Sequence, residues 1–454
     1  MKKVTLLAAS VLAGLMSAQS FAAPAEFNGY MRSGVMHGKS AFGTRSQATK
    51  VGRLGNQNDT FGEMQITGDI AKVDDTVWSV STMFTVSGDG KENNWDSNIG
   101  NRQFYVEVKG LLESDKDARV WVGKKYVNRE DIHITDFYYY NISGHGAGID
   151  NLALGSGKLN IAWTRHDGGY NAKLQNGYTD EKVYEFDTET GNKKVSDNLK
   201  NQPTKSRINN FDARYNFPLW DGANLQLGAT YLMAERDKNG SNDLYTWADG
   251  KEVKDGLNLS AELTLNVLGG FNKTVLQSFS GASAKDASLD GTSSELYTDE
   301  GQGWRLLNFG NVYFTEDFGM FHQFVFAYNS GTQERDHFRG VSAVVRPYYR
   351  LTKMTKLIAE VGAFDEKTYG KLEADKAQSK VSKHGAKYTL AYAISPNAGD
   401  FWQRPEIRFY VSHISTSSNL SLNQTEFGAA PELKNGEGRM TSDNMFGVQV
   451  EAWW

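Results

Sequence analysis

The sequence predicts an all-β protein: one antiparallel sheet closed into a barrel and embedded in a membrane. Three observations point there. Polar and apolar residues alternate with period two in segment after segment, the polar faces of those segments carry ionisable groups, and the chain ends on Phe446–Trp454, an alternating stretch with an aromatic terminus. A soluble sandwich would alternate too. It would not carry charge on one face of strand after strand while the other face is aliphatic at its centre and aromatic near its ends. A water-filled lumen inside a lipid band with interfacial girdles requires both.

In chain order, Lys2 and Lys3 precede an apolar run, Val4 to Met16, and then Ser20-Phe21-Ala22-Ala23. That is the pattern of a secretory signal peptide over residues 1–22, cleaved after Ala22. The run is too short for a spanning helix, and no later window offers some twenty uninterrupted apolar residues, so any crossing falls to strands. Residues 23–454 read as a single barrel domain, because no Pro/Ser-rich linker or shift in composition divides them. Seven prolines stand against 46 glycines, 10 tryptophans, 21 tyrosines and 24 phenylalanines, a balance that suits turns and strand faces. With no cysteine there is no disulfide, thiolate metal site or cysteine nucleophile. The net charge of −5 is spread along the chain, without the basic patch that a nucleic acid partner would need.

Parity assigns faces. Phe211, Ala213, Tyr215 and Phe217 lie opposite Asn210, Asp212, Arg214 and Asn216, and Leu257 to Val267 follows the same rule. Near the chain ends parity turns four aromatics toward water. Tyr30 shares a face with Asn28 and Arg32, Phe61 with Glu63 and Gln65, Trp402 with Arg404, Glu406 and Arg408, and Trp453 with Gln449 and Glu451. Strands near both ends must meet when a barrel closes. A line of aromatic rings on a wet wall then suits a ligand with apolar faces and polar edges, such as a pyranose ring.

One stretch breaks the alternation, Tyr126 to Asn151. It gathers Arg129, Glu130, Asp131, His133, Asp136 and Tyr138 to Tyr140, then runs through Gly144, Gly146 and Gly148. It reads as a long loop carried inside the barrel, narrowing the channel. Asp131 and Asp136 beside His133 also suggest a glycosidase pair or a metal site. A glycosidase needs one carboxyl with a raised pKa, however, and the neighbouring arginines are expected to lower both. No catalytic residue, metal or cofactor is therefore assigned.

Seven segments, FNGYMRSG from Phe27, RLGN and FGE between Arg53 and Glu63, GKKYVNREDIHITDFYYYNISGHGAG from Gly123, GFNK from Gly270, FWQRPEIR from Phe401 and the final VEAWW, together resemble the maltoporin family of sugar-specific outer-membrane porins. The likeness covers essentially the whole mature length. It implies an 18-stranded antiparallel transmembrane β-barrel, homotrimeric, with an inward-folded constriction loop. It also implies a bacterial outer membrane with its lipid and lipopolysaccharide as surroundings, and outer loops of the kind that phages use as receptors. It further implies a sugar-guiding aromatic slide of Tyr30, Phe61, Phe271, Trp402 and Trp453, with Trp95 supplied to a neighbouring subunit. Phe271 and Trp95 rest on the resemblance alone. The facing polar track maps onto Arg32, Arg53, Glu63, Arg102, Arg129, Asp131, His133, Asp136 and Tyr138. There, arginine forks donate to adjacent hydroxyls and carboxylates accept from them. Any of those arginines can instead serve as a wall-stabilising ion pair. Phe61 stands where the best-known members carry tyrosine, and Asn141 where an aspartate is usual. The chain keeps Arg129 and Tyr138, which the sucrose-porin branch replaces. The expectation is passive, saturable diffusion of maltose and linear maltooligosaccharides, with ion leakage. The alternatives are a general diffusion porin and a porin for another sugar, such as sucrose or an aryl glucoside.

Overall fold

The structure, a computed structural model, describes residues 25–38, 47–56, 59–88, 98–167, 184–186, 193–195, 207–234, 255–291, 301–332, 336–370, 380–418 and 439–454. The expected leader and Trp95 lie outside them. The alternating segments form the wall strands Glu26–His37 (β1), Thr60–Val73 (β2), Thr76–Gly88 (β3), Asn98–Lys109 (β4), Arg119–Lys125 (β5), Gly144–Leu154 (β6), Gly157–Asp167 (β7), Arg207–Trp220 (β8) and Ala223–Ala234 (β9). The wall continues with Gly256–Val267 (β10), Gly270–Gly281 (β11), Gln302–Tyr313 (β12), Phe318–Ser330 (β13), His337–Arg350 (β14), Thr355–Tyr369 (β15), Lys380–Ile394 (β16), Glu406–Ser418 (β17) and Arg439–Trp453 (β18). These 18 strands make one sheet in which each pairs antiparallel with its chain neighbours, and β1 closes the ring on β18, with Tyr30 opposite Trp453. Closure leaves no edge unpaired, which a wall in lipid requires.

Both termini of the wall lie at one rim, together with the tight connections at residues 74–75, 155–156, 221–222 and 268–269. The last is a two-residue turn with Leu268 and Gly269 both left-handed, at φ 47° and 71°, the geometry that matches strand twist. The longer connections gather at the opposite rim.

Parity holds in the wall. On β8, Phe211 is exposed outward while Asp212 and Arg214 are buried inside and bonded to each other at 3.1 Å. On β18, Phe446 faces out, and Gln449 and Glu451 are buried inside. The rings of Tyr215 and Phe217 stack at 5.0 Å near the terminal rim, as do Phe314 and Phe318 at 5.3 Å, where an interfacial girdle belongs.

The segment after Lys125 crosses the interior. Ile132, Ile134, Phe137 and Tyr139 are buried against the inner faces of distant strands, among them Val275, Phe309, Phe321 and Val344. Polar ties fix the landing. Gln277 on β11 donates to Tyr139 O (2.8 Å), Arg346 on β14 donates to Ile134 O (3.1 Å), and Thr135 donates to Gln323 on β13. Each fully buried large apolar side chain contributes roughly 1.5–3 kcal/mol, so the loop is held as a core rather than as a flap.

Three details differ from the sequence reading. The loop ends at Ser143, not Asn151, because Gly144 begins β6. Gly144, Gly146 and Gly148 recur with the strand period, and a Cβ at each would meet the β7 backbone carbonyls of Arg165, Trp163 and Ile161 within 3 Å. Trp402 and Arg404 precede β17 rather than lying on it, yet both still point inward. A second inward segment was not foreseen. Residues 47–56 bury Val51 and Leu54 in the same core, and Lys387 on β16 donates to the carbonyls of Gly52 (2.7 Å) and Leu54 (2.6 Å).

Candidate functional site

Five of the six expected slide aromatics lie among the described residues, and they form one descending line. Phe61 is the second residue of β2, with its ring 6.1 Å from that of Tyr30 on β1. Tyr30 pairs directly with Trp453 across the ring closure. The indole of Trp453 is 6.4 Å from that of Trp402, which lies 6.5 Å from Phe271 at an interplanar angle of 25°. All five are half-buried, their remaining surface turned to the lumen. Phe271, which parity had not picked out, shares its face with Lys273, Val275 and Gln277, opposite the exposed Leu276. The alternation between Lys273 and Leu276 was the signal that could have found it.

The polar residues divide into two groups. Arg32 is buried and gives its fork to Asp59, Nε to Oδ1 at 3.0 Å and Nη2 to Oδ2 at 2.7 Å, while lying 4.8 Å from the Phe61 ring centre. Arg53, carried on the unforeseen inward segment, is buried and paired with Glu451. Glu451 also takes Arg404 (2.8 Å), Arg408 (2.7 Å) and the Tyr30 hydroxyl (2.9 Å). Arg32 is thus engaged by Asp59, whereas Arg53 reaches Glu451 through Nη2 alone and its buried Nε has no hydrogen-bond partner among the described residues.

His133 does not stand across the channel from the slide; it packs into the slide's lower end, 5.3 Å from Trp402 and 5.7 Å from Trp453. Arg53 Nη2 and Arg404 Nη2 both approach its Nε2 at 3.3 Å. Two guanidinium donors on one ring nitrogen make that nitrogen an acceptor, so the ring is neutral. Burial, with Arg53 adding to it, holds its pKa well below the usual histidine value.

The second group lines a basin of about 760 Å³ between the loop and the upper slide: Phe61, Glu63, Arg102, Tyr126, Arg129, Asp136 and Tyr138, with Arg32 at its edge. Arg129 lies between two phenol rings, 4.3 Å from the centres of Tyr126 and Tyr138, and donates to Tyr138 Oη at 2.7 Å. Tyr126, which the sequence reading had not singled out, donates to Glu63 at 2.7 Å. Arg102 is the extra residue of a bulge on β4 and is exposed. Among the described residues, neither Arg102 nor Arg129 is paired with a carboxylate, which leaves their donors for a ligand. Asp131, opposite Tyr138 in the loop's own small hairpin, meets lumen water. Crowding by the wall nevertheless pushes its carboxyl above the usual range, with Arg53 and Arg129 pulling the other way. The arginines act on this carboxyl in the expected direction, but burial outweighs them.

A line of half-exposed rings faces fixed donors and acceptors along an open bore, the arrangement that exchanges a sugar's water for protein contacts step by step. The LamB porin family model matches residues 25–454. The chain is 33% identical to the protein named Maltoporin in Photobacterium profundum, over all of this chain and 99% of that one. It is also 33% identical to Maltoporin 1 of Klebsiella pneumoniae subsp. pneumoniae, covering 99% and 98%. Maltoporin 2 of Yersinia pestis (strain Pestoides F) is 32% identical over 94% of each. The chain belongs to the LamB porin family and is a β-barrel channel of the bacterial outer membrane.

Proposed function

We propose that this channel passes maltose and linear α-1,4-linked maltooligosaccharides by passive, saturable diffusion, and leaks small ions when no sugar is bound. The observation that carries this reading is the continuous line Phe61–Tyr30–Trp453–Trp402–Phe271 beside Arg129. A helical oligosaccharide can slide its C–H faces down the rings while Arg129, Arg102, Glu63, Asp136 and Tyr138 serve its hydroxyls in turn. Arg32, Arg53 and His133 act at one remove, as props of the rings. No energy source is needed, since weak repeated contacts allow release at the far end.

Residues 1–22 act as the export leader in this reading, and three copies assemble, each placing Trp95 at a neighbour's entrance. In this reading the sugar passes without cleavage, because the basin that holds Glu63 and Asp136 opens to solvent and encloses no bond. The test is a planar bilayer: maltohexaose should block the ion current in a saturable way, far better than sucrose or an aryl glucoside, and emerge intact. Current indifferent to maltodextrins would instead indicate a general diffusion porin.

A further inference from the structure

Where the chain leaves β5 for the interior, its first residue, Tyr126, is held from the wall. Its backbone N–H donates to Gln103 Oε1 on β4 at 2.9 Å, and the Gln103 amide in turn donates to Gln65 Oε1 on β2 at 3.1 Å. The next residue, Val127, is buried with Trp121, Ile142 and Ala162, and its carbonyl accepts from the Ile142 N–H at 3.1 Å. Placed in this way, the Tyr126 phenol makes two contacts. Its hydroxyl donates to Glu63 Oε1 at 2.7 Å, and its ring centre lies 4.3 Å from the Arg129 guanidinium carbon. Among the described residues, Glu63 has no other hydrogen-bond partner. Phe61, two residues earlier on the same face of β2, brings a ring to the basin and no hydroxyl.

We propose that Tyr126 is a positioning residue for the sugar: one phenol holds an acceptor on the wall, Glu63, and a donor on the loop, Arg129, as a fixed pair facing the same basin. Resting on the maltooligosaccharide reading, this role explains why the pair discriminates between sugars. The Tyr126 hydroxyl takes one lone pair of Glu63 Oε1 and leaves Oε2 to the ligand. Tyr138 takes Nη2 of Arg129, with its ring at 4.3 Å, and leaves Nε and Nη1. Neighbouring hydroxyls of a pyranose then meet one acceptor and one donor already in place. A loose glutamate and a loose arginine would each have to be ordered when the sugar arrives, and would reorder as readily around a ligand with another spacing of hydroxyls. Holding both beforehand removes that cost for the matching sugar alone.

The experiment is block of ion current by maltohexaose in four intact channels: native, Tyr126→Phe, Glu63→Ala and the double variant. Tyr126→Phe keeps the ring on Arg129 and cuts only the tie to Glu63. Its half-blocking concentration should rise roughly two- to tenfold, the gain expected from ordering one long side chain in advance, at an unchanged unfolding midpoint. Added to Glu63→Ala, the same change should have no further effect, because the hydroxyl acts through that carboxylate. A phenol that touched the sugar directly, or served only the fold, would give its loss with or without Glu63. That result, or native block in Tyr126→Phe, overturns the proposal and leaves the maltodextrin reading intact; a native channel indifferent to maltohexaose overturns both. Should Glu63→Ala fail to assemble, the crystal structure of Tyr126→Phe decides: a Glu63 carboxylate still in its native place overturns the proposal, and a displaced one supports it.

Discussion

Trp453→Ala tests the slide most directly. The indole is the last side chain of β18, with the Arg404 guanidinium over its ring at 4.1 Å, His133 at 5.7 Å and Trp402 at 6.4 Å. A large aromatic covered on all sides buries about 150–250 Å². With Arg404 and its ring neighbours already covering part, roughly 60 Å² is left for a pyranose face, and at ~25 cal/mol per Å² that is about 1.5 kcal/mol. The half-blocking concentration of maltohexaose should therefore rise roughly tenfold. Measured as block of ion current in a planar bilayer, the change should come with unaltered barrel assembly, because Glu451 keeps its arginines. Unchanged block in a folded channel would refute the stacking account. Loss of folding would show that the indole serves the wall instead.

Four further outcomes follow from the same geometry. Arg129→Gln removes charge-assisted donors worth about 1.5–3 kcal/mol without stranding a carboxylate, so sugar block should weaken by one to two orders of magnitude at unchanged unfolding midpoint. Phe61→Tyr sets a hydroxyl near Arg32 and Asp59 and should tighten block by up to about fivefold, roughly 1 kcal/mol, read in the same bilayer assay. Glu360→Gln leaves Arg346 and Lys387 buried without their carboxylate. It should cost about 3–5 kcal/mol in denaturant unfolding while sparing block in channels that fold. The fourth concerns pH. The folded-state pKa of His133 lies below its unfolded value of about 6.5, so the unfolded chain binds the extra proton. Its contribution to stability is full above about pH 6.5 and is lost as pH falls toward the folded value. Sugar block should stay flat from about pH 8 to 6.5, and His133→Asn should flatten the acid-side slope of the unfolding midpoint relative to the native channel.

Period two is a property of a single strand and needs no partner. The sequence alone therefore determined that Phe211 and Phe446 face lipid, that Asp212, Arg214 and Glu451 face the interior, and that Tyr30, Phe61 and Trp453 turn toward water. The charged loop after Lys125 was legible for the same reason, as the place where the period stops. Its end was not, because Gly144, Gly146 and Gly148 read as slack while the β7 carbonyls beside them demand residues without a Cβ. Only the closed ring decided the rest. Setting Tyr30 opposite Trp453 joined two short runs of rings into one slide. Bringing residues 47–56 against β14 to β16 set Arg53 beside Glu451, 398 positions away. Buried charges find whichever opposite charge the closed wall brings within reach, and that choice is written in the geometry of closure, where no local pattern can express it.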